Sequence, residues 1–235
     1  METGSFCISI DLERAWGIWD QPDSIYFERC ARLEEDIVAR LLEMFALHDI
    51  SATWAVVGHL LERSDDPKRR EESLWFGLKD IEKIRAATPL QDIGTHGYSH
   101  IYCGDATDAE FAEDLKRARR VHDAHGMPFG SMVFPRNHVG NLEMLKANGI
   151  KVVRGVDYGI HMTIRKVLGH WPGRIANLLD KFIPLPAAVV NPIVHPDGLV
   201  ELPGSMLLLG RQGRFQKRLL LHRLYPSLRD RIMAI

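Results

Sequence analysis

Short apolar runs alternate with amphipathic stretches from residue 5 to residue 156, and this alternation restricts the fold more than any other feature of the chain. Residues 5–10 read as a buried strand, and residues 27–48, with Leu33, Ile37, Leu41, Leu42 and Phe45 recurring at helical spacing, as an amphipathic helix. A strand over 52–57, a helix over 78–87, a strand over 91–95 and a helix over 108–125 that Gly126 can terminate follow in turn. The same reading gives a strand over 131–134, a helix over 139–148 closed by Gly149, and a β-branched strand over 150–156. Further on, 160–185 is expected to be helical in part, 189–194 and 199–202 to be strands, and 213–235 to be a last helix interrupted at Pro226. Strands separated by helices pair in parallel, and in a closed or nearly closed α/β barrel the chemistry gathers at the C-terminal strand ends.

With 235 residues, 46% of them hydrophobic, and no Ser/Gly-rich or Pro-rich linker, the expectation is one domain over 1–235. A formal net charge of -1 offers no global field to recruit nucleic acid or an anionic membrane. The basic, leucine-interleaved stretch from Arg211 to Arg231 reads as a solvated helix face, peripheral membrane contact being the less favoured alternative. Cys7, Cys30 and Cys103 are too few and too scattered for a disulfide framework or a cysteine zinc site. The first residues lack the basic and apolar regions of a secretory signal, and no run approaches eighteen apolar residues, so a cytoplasmic protein is expected. Neither phosphate-binding glycine pattern occurs, which removes support for nucleotide chemistry. Oligomeric state leaves no mark in the sequence.

His96-Gly97-Tyr98-Ser99-His100 follows the strand over 91–95 and sets two imidazoles four positions apart at a strand end. Neutral imidazoles can converge on one divalent ion, but a catalytic site needs a third protein ligand and an open position. Gly97 stands where the helical zincin pattern carries its base, which argues for a loop. The first strand leads into Asp11-Leu12-Glu13, whose two acids share one face of an extended segment and can supply a ligand and a base together. The plainer alternatives are hydrogen-bonded turn histidines and helix-capping acids.

Ser9-Ile10-Asp11-Leu12-Glu13, Thr53-Trp54-Ala55-Val56-Val57-Gly58 and Gly94-Thr95-His96-Gly97-Tyr98-Ser99-His100 together resemble the polysaccharide deacetylase family, also called the NodB-homology or carbohydrate esterase 4 family, over about residues 5 to 156. That resemblance implies a distorted (β/α) barrel that removes acetyl groups from N-acetylated or O-acetylated sugars with one divalent metal. It implies His96 and His100 as ligands. The family's first motif has two adjacent aspartates, whereas here Leu12 stands in the second place; Asp11 is assigned as base and Glu13 as third ligand, with the reverse assignment as the alternative. Phe134-Pro135-Arg136-Asn137 occupies the place of the third motif with its usual Arg-x-Pro order reversed, and Arg136 is expected to orient Asp11; an exposed helix-start arginine, with Asn137 as a cap, is the alternative. For the family's late general-acid histidine, His195 precedes a Pro-Asp-Gly turn and His222 lies in a helical run, so neither is assigned and the barrel is expected to lack its closing strand.

The resulting expectation is a metal-dependent hydrolase of N-acetylated sugars or polysaccharides, with zinc the first candidate ion and cobalt, manganese or nickel behind it. The alternatives are a non-catalytic NodB-like carbohydrate-binding or scaffold protein and a NodB-like amidase acting on small amides. Trp16, Trp19 and Trp75 are candidates for stacking on sugar faces, with core or rim packing as the other reading. His122 and His125 are expected to be solvated at a helix end.

Overall fold

In the computed structural model, which describes residues 4–20, 25–63, 71–157, 167–169, 171–172 and 189–205, the alternation becomes a parallel sheet in chain order. Strands β1 (Ser9–Leu12), β2 (Thr53–Val56), β3 (Asp92–Thr95) and β4 (Ser131–Val133) lie side by side. Their register aligns Leu12 with Val56, Val56 with Thr95, and Thr95 with Met132. One row of residues therefore crosses the strand ends, and whatever follows each strand in sequence emerges on one rim. Glu13 and His96 are the residues that follow β1 and β3.

Among the described residues these strands are accompanied by the helices α1 (Ile25–His48), α2 (Glu72–Trp75), α3 (Leu78–Ala86), α4 (Asp108–Ala124) and α5 (Leu142–Ala147). Among the described side chains of α1, Ala31, Val38 and Phe45 are buried, while Leu33 and Ile37 are exposed. The buried stripe is thus rotated from the one expected, because the spacing Ala31–Val38–Phe45 also satisfies helical periodicity and carries Phe45 edge-on against Trp54. Helix α4 starts where a capping box demands: Glu110 N–H donates to Thr107 Oγ1 at 3.3 Å and Thr107 N–H donates to Glu110 Oε2 at 2.9 Å. Its inner face is Phe111, Asp114, Leu115, Ala118, Val121 and His122. The charged Asp114 in that apolar series stands out.

Strand β1 begins later than residue 5. The ladder opens with Thr53 N–H donating to Ile8 O, and residues 5–6 are exposed. The shift places Asp11 inside the strand. Helix α5 is shorter than 139–148, because Asn141 adopts a left-handed conformation (φ 52°) just before it.

Two compact units make up the chain, one of Met1–Val153 with His195–Leu199 and a second of Arg154–Val194 with Val200–Ile235. The first holds the site, and its core centres on Trp54, Leu60, Ile84, Phe111, Leu115 and Phe134. Its last strand residues, Val152 and Val153, open β5 (Val152–Asp157), where Lys151 and Val152 N–H both donate to Gly130 O. In the second unit β6 (Ile193–Val194) pairs antiparallel with β7 (Val200–Gly204), and a Cβ on Gly155 would collide with Glu201 Oε1. Gly155 is the residue type that close approach requires. Of the strand expected over 189–194 only Ile193–Val194 forms, and the one expected over 199–202 runs over Val200–Gly204, the two making a short hairpin with His195 N–H donating to Leu199 O at its turn. Most of the helical expectation over 160–185, the helix over 213–235 and His222 lie outside the described residues. No described helix is long and apolar enough to cross a membrane. Over the described residues the α/β class and the incomplete (β/α) barrel stand as the sequence implies.

Candidate metal centre

His96 is set by the sheet. Its N–H donates to Val56 O at 2.8 Å, and its Nδ1 lies 2.8 Å from Val133 O. A carbonyl can only accept, so Nδ1 carries the proton and Nε2 presents a lone pair. The ring is fully buried. His100, also buried, sits at φ 59° beyond a loop that turns through Gly97 at φ 74°. A Cβ on Gly97 would stand 2.9 Å from Asp114 Oδ2, in a backbone conformation L residues rarely adopt. Gly58 and His59 N–H donate to Gly97 O and Tyr98 O, tying the loop to the turn after β2.

Glu13 meets both rings. Its Oε2 lies 3.3 Å from His96 Nε2 and 3.0 Å from His100 Nε2, while Asp11 Oδ2 lies 4.0 Å from His96 Nε2. Both acids are partly exposed, so the site opens to solvent on their side. Behind Glu13 a 3-10 turn over Arg14–Ile18 changes the chain direction, with Arg14 at φ 44°. The Arg14 guanidinium pairs with fully buried Asp80 at 2.5 Å, and Arg14 N–H donates to Glu34 Oε2 at 3.0 Å. A Cβ on Gly17 would collide with Glu13 Oε1, so the turn leaves Glu13 room only because that residue is glycine.

The charges follow from this packing. Burial pushes the Glu13 carboxyl up, but the close approach of His100 and His96 outweighs it and holds the group well below the usual carboxylate range. Burial pushes the His96 imidazole down, yet Glu13 and the charge of Asp11 overcome it and hold it above its ordinary value. Glu34 is pushed by burial up to about 8, the charge of Arg14 opposing the rise only in part. The centre therefore stabilises positive charge strongly, whether carried by a proton or by a cation.

The donor set fits a divalent ion. Nε2 of His96 and of His100 are buried with no properly directed hydrogen-bond partner, and these two atoms and a Glu13 oxygen lie within 4.8 Å of one another. Donors about 2.0 Å from one ion at tetrahedral angles stand about 3.3 Å apart, and the two distances measured from Glu13 match that spacing.

Arg136 holds the turn after β1 at the rim of the centre. Its Nη2 donates to Asp20 Oδ1 at 2.6 Å and to Gly17 O at 2.9 Å, and its guanidinium stands 5.4 Å from the Tyr102 ring centroid. Tyr102 in turn donates to Asp20 Oδ2 at 2.8 Å, so Asp20 joins the turn after β1 to the loops after β3 and β4. Asn137 falls within the 3-10 turn Pro135–Asn137 and does not cap α5.

Trp16 is not a sugar platform: it is 2% exposed, stacks on His59 at 4.0 Å and donates from Nε1 to Trp75 O. The bulk of the ring belongs to the core, where its one polar atom finds a carbonyl. Trp19 is exposed and Trp75 half-buried. His122 is not solvated either; it is fully buried, with Nδ1 at 2.7 Å from Pro128 O, and burial pushes it down to about 4. Its place on the inner face of α4 with Phe111, Leu115 and Val121 could have indicated this. Asp114, Arg14, Asp80 and Glu34 were not singled out by sequence reasoning. Asp114 carries a readable signal, an acid three residues after Phe111 and one before Leu115 on an apolar face.

Residues 23–151 match the family described as polysaccharide deacetylase. No curated protein matches the chain. Among solved structures, similarity extends to a CE4 family pseudoenzyme from Bacillus anthracis (18% identity, TM-score 0.42, 63% of this chain and 41% of that one). A deacetylase from Streptococcus pyogenes in complex with acetate is similar at 11% identity and TM-score 0.44, over 65% of this chain and 56% of that one. A deacetylase domain from Bordetella bronchiseptica is similar at 12% identity and TM-score 0.43, over 64% of this chain and 63% of that one. The chain thus spans less than two thirds of each of these structures.

Proposed function

The chain belongs to the polysaccharide deacetylase family, and we propose that it is a metal-dependent hydrolase that removes acetyl groups from N-acetylated sugars or polysaccharides. The observation that carries this reading is the convergence of two buried imidazole Nε2 atoms on the Glu13 carboxylate, with a second acid, Asp11, 4.0 Å from one of them. Glu13, His96 and His100 would hold the ion, zinc being the first candidate. When bound, the ion supplies Lewis acidity that polarises an acetyl carbonyl and lowers the pKa of water.

Glu13 is committed to both rings, which leaves Asp11 as the acid to act on a proton. Asp11 takes that proton from the attacking water at a carboxylate oxygen. His195 follows β6, but at the turn of an antiparallel hairpin, so the departing amine is assigned the proton held on Asp11. Arg136 closes the rim through Gly17 O and Asp20, keeping the turn that follows Glu13 in place.

Leu12 in place of the family's second aspartate, with the late His195 set in a hairpin turn, favours one second reading: a protein that binds acetylated saccharides without turning them over. The test is acetate release from N-acetylated oligosaccharides and from small amides by metal-loaded and chelator-stripped protein. Metal-dependent release from the sugars supports the hydrolase; release from amides alone moves the substrate class. Saccharide binding without acetate from metal-loaded protein favours the second reading and rejects the first.

A further inference from the structure

The loop between the two histidines contains two left-handed residues, Gly97 at φ 74° and His100 at φ 59°. The two residues between them, Tyr98 and Ser99, are held by one side chain. Tyr98 N–H donates to Asp114 Oδ2 at 2.7 Å, Ser99 N–H donates to Oδ1 at 2.9 Å, and the Ser99 hydroxyl donates to the same Oδ1 at 2.5 Å. Asp114 reaches them from the inner face of α4 and is itself 6% exposed. A carboxylate in that position is costly unless its oxygens are satisfied, and it is satisfied here by the loop. Gly97 completes the fit, since a Cβ there would press on Asp114 Oδ2 at 2.9 Å.

His96 needs none of this. Its backbone is fixed by Val56 O and its ring by Val133 O, both belonging to the sheet. His100 has no ring nitrogen anchored in this way; its Nε2 points at Glu13, and its backbone angle is dictated by the residues just before it. We propose that Asp114 is the positioning residue for His100: by clamping the Tyr98 and Ser99 amides it sets the left-handed turn that aims Nε2 at the Glu13 carboxylate. This inference rests on the reading of Glu13, His96 and His100 as metal ligands.

The substitution Asp114→Asn is discriminating because both carboxylate oxygens accept N–H groups from the loop, so an amide must turn its own NH2 against one of them. The experiment measures zinc affinity by chelator competition, the visible spectrum of the cobalt-loaded protein, and the melting temperature of the metal-free protein. Asp114→Asn is expected to weaken zinc about 10- to 100-fold and to change the cobalt spectrum, as loss of an outer-shell partner does. Placed in a His100→Ala background, Asp114→Asn is expected to weaken zinc no further, because the ligand it positions is already gone. Should Asp114→Asn fail to fold, Ser99→Ala removes one bond to Oδ1 and is expected to weaken zinc several-fold. Unchanged zinc affinity and cobalt spectrum in folded Asp114→Asn, or in Ser99→Ala where that variant stands in, would overturn the proposal, as would an equal further loss in the His100→Ala background. Wild-type protein that takes up neither metal overturns the ligand reading itself, a result distinct from wild-type uptake that Asp114 does not affect.

Discussion

The acids at the end of β1 and the histidines at the end of β3 occupy neighbouring places on one rim but are held there by different means. Behind Glu13 stands a buried charge network: Arg14 on Asp80, and Glu34 receiving the Arg14 amide. Behind His96 stand backbone carbonyls of the sheet. Hydrogen bonds to neighbouring strands come with the fold, whereas a buried ion pair is worth little net and is very costly to break on one side. The acid side of the centre should therefore be the brittle one, and the histidine side the robust one.

The largest expected effect breaks the acid side. Asp80→Ala strands the Arg14 guanidinium in a buried position and is expected to cost about 3–5 kcal/mol of stability, measured by urea unfolding. A cost near zero would mean that the network does not hold the turn after β1, and the contrast between the two sides would fail.

A smaller effect concerns helix α4, on the histidine side. His122 is neutral in the folded protein because burial disfavours its charged form, with the group pushed down from 6.5 to about 4. Between these values the unfolded chain binds a proton that the folded chain refuses, so stability falls as pH is lowered from about 6.5 toward 4. The expected slope is on the order of 1 kcal/mol per pH unit in that window, and His122→Phe should remove it. Denaturation midpoints at a series of pH values check this. A slope that survives in His122→Phe would have to be assigned to another group.

Much of the centre was legible because its chemistry is local. His96 and His100 lie within five residues, Asp11 and Glu13 within three, and the parallel register carries the ends of β1 and β3 to one rim. The supports were not legible for the opposite reason. Arg14 and Asp80 are 66 positions apart, Ser99 and Asp114 15 apart, and nothing at either position says which partner it will find. Trp16 misleads for a related reason: an indole next to an acidic motif suits a sugar platform as well as a core, and only the approach of His59 and Trp75 decides. Boundaries shifted where backbone geometry intervened, at the late start of β1 and at the left-handed Asn141 before α5.

The central claim is that Glu13 holds the ion and Asp11 handles the proton. It is tested most directly by zinc content and acetate release measured side by side in Glu13→Gln and Asp11→Asn. The geometry predicts that Glu13→Gln loses zinc and activity together, because the Glu13 carboxylate approaches both imidazoles, and that Asp11→Asn keeps zinc but releases no acetate. Zinc lost in Asp11→Asn and kept in Glu13→Gln would reverse the two roles, and zinc unchanged in Glu13→Gln would contradict the centre as assigned.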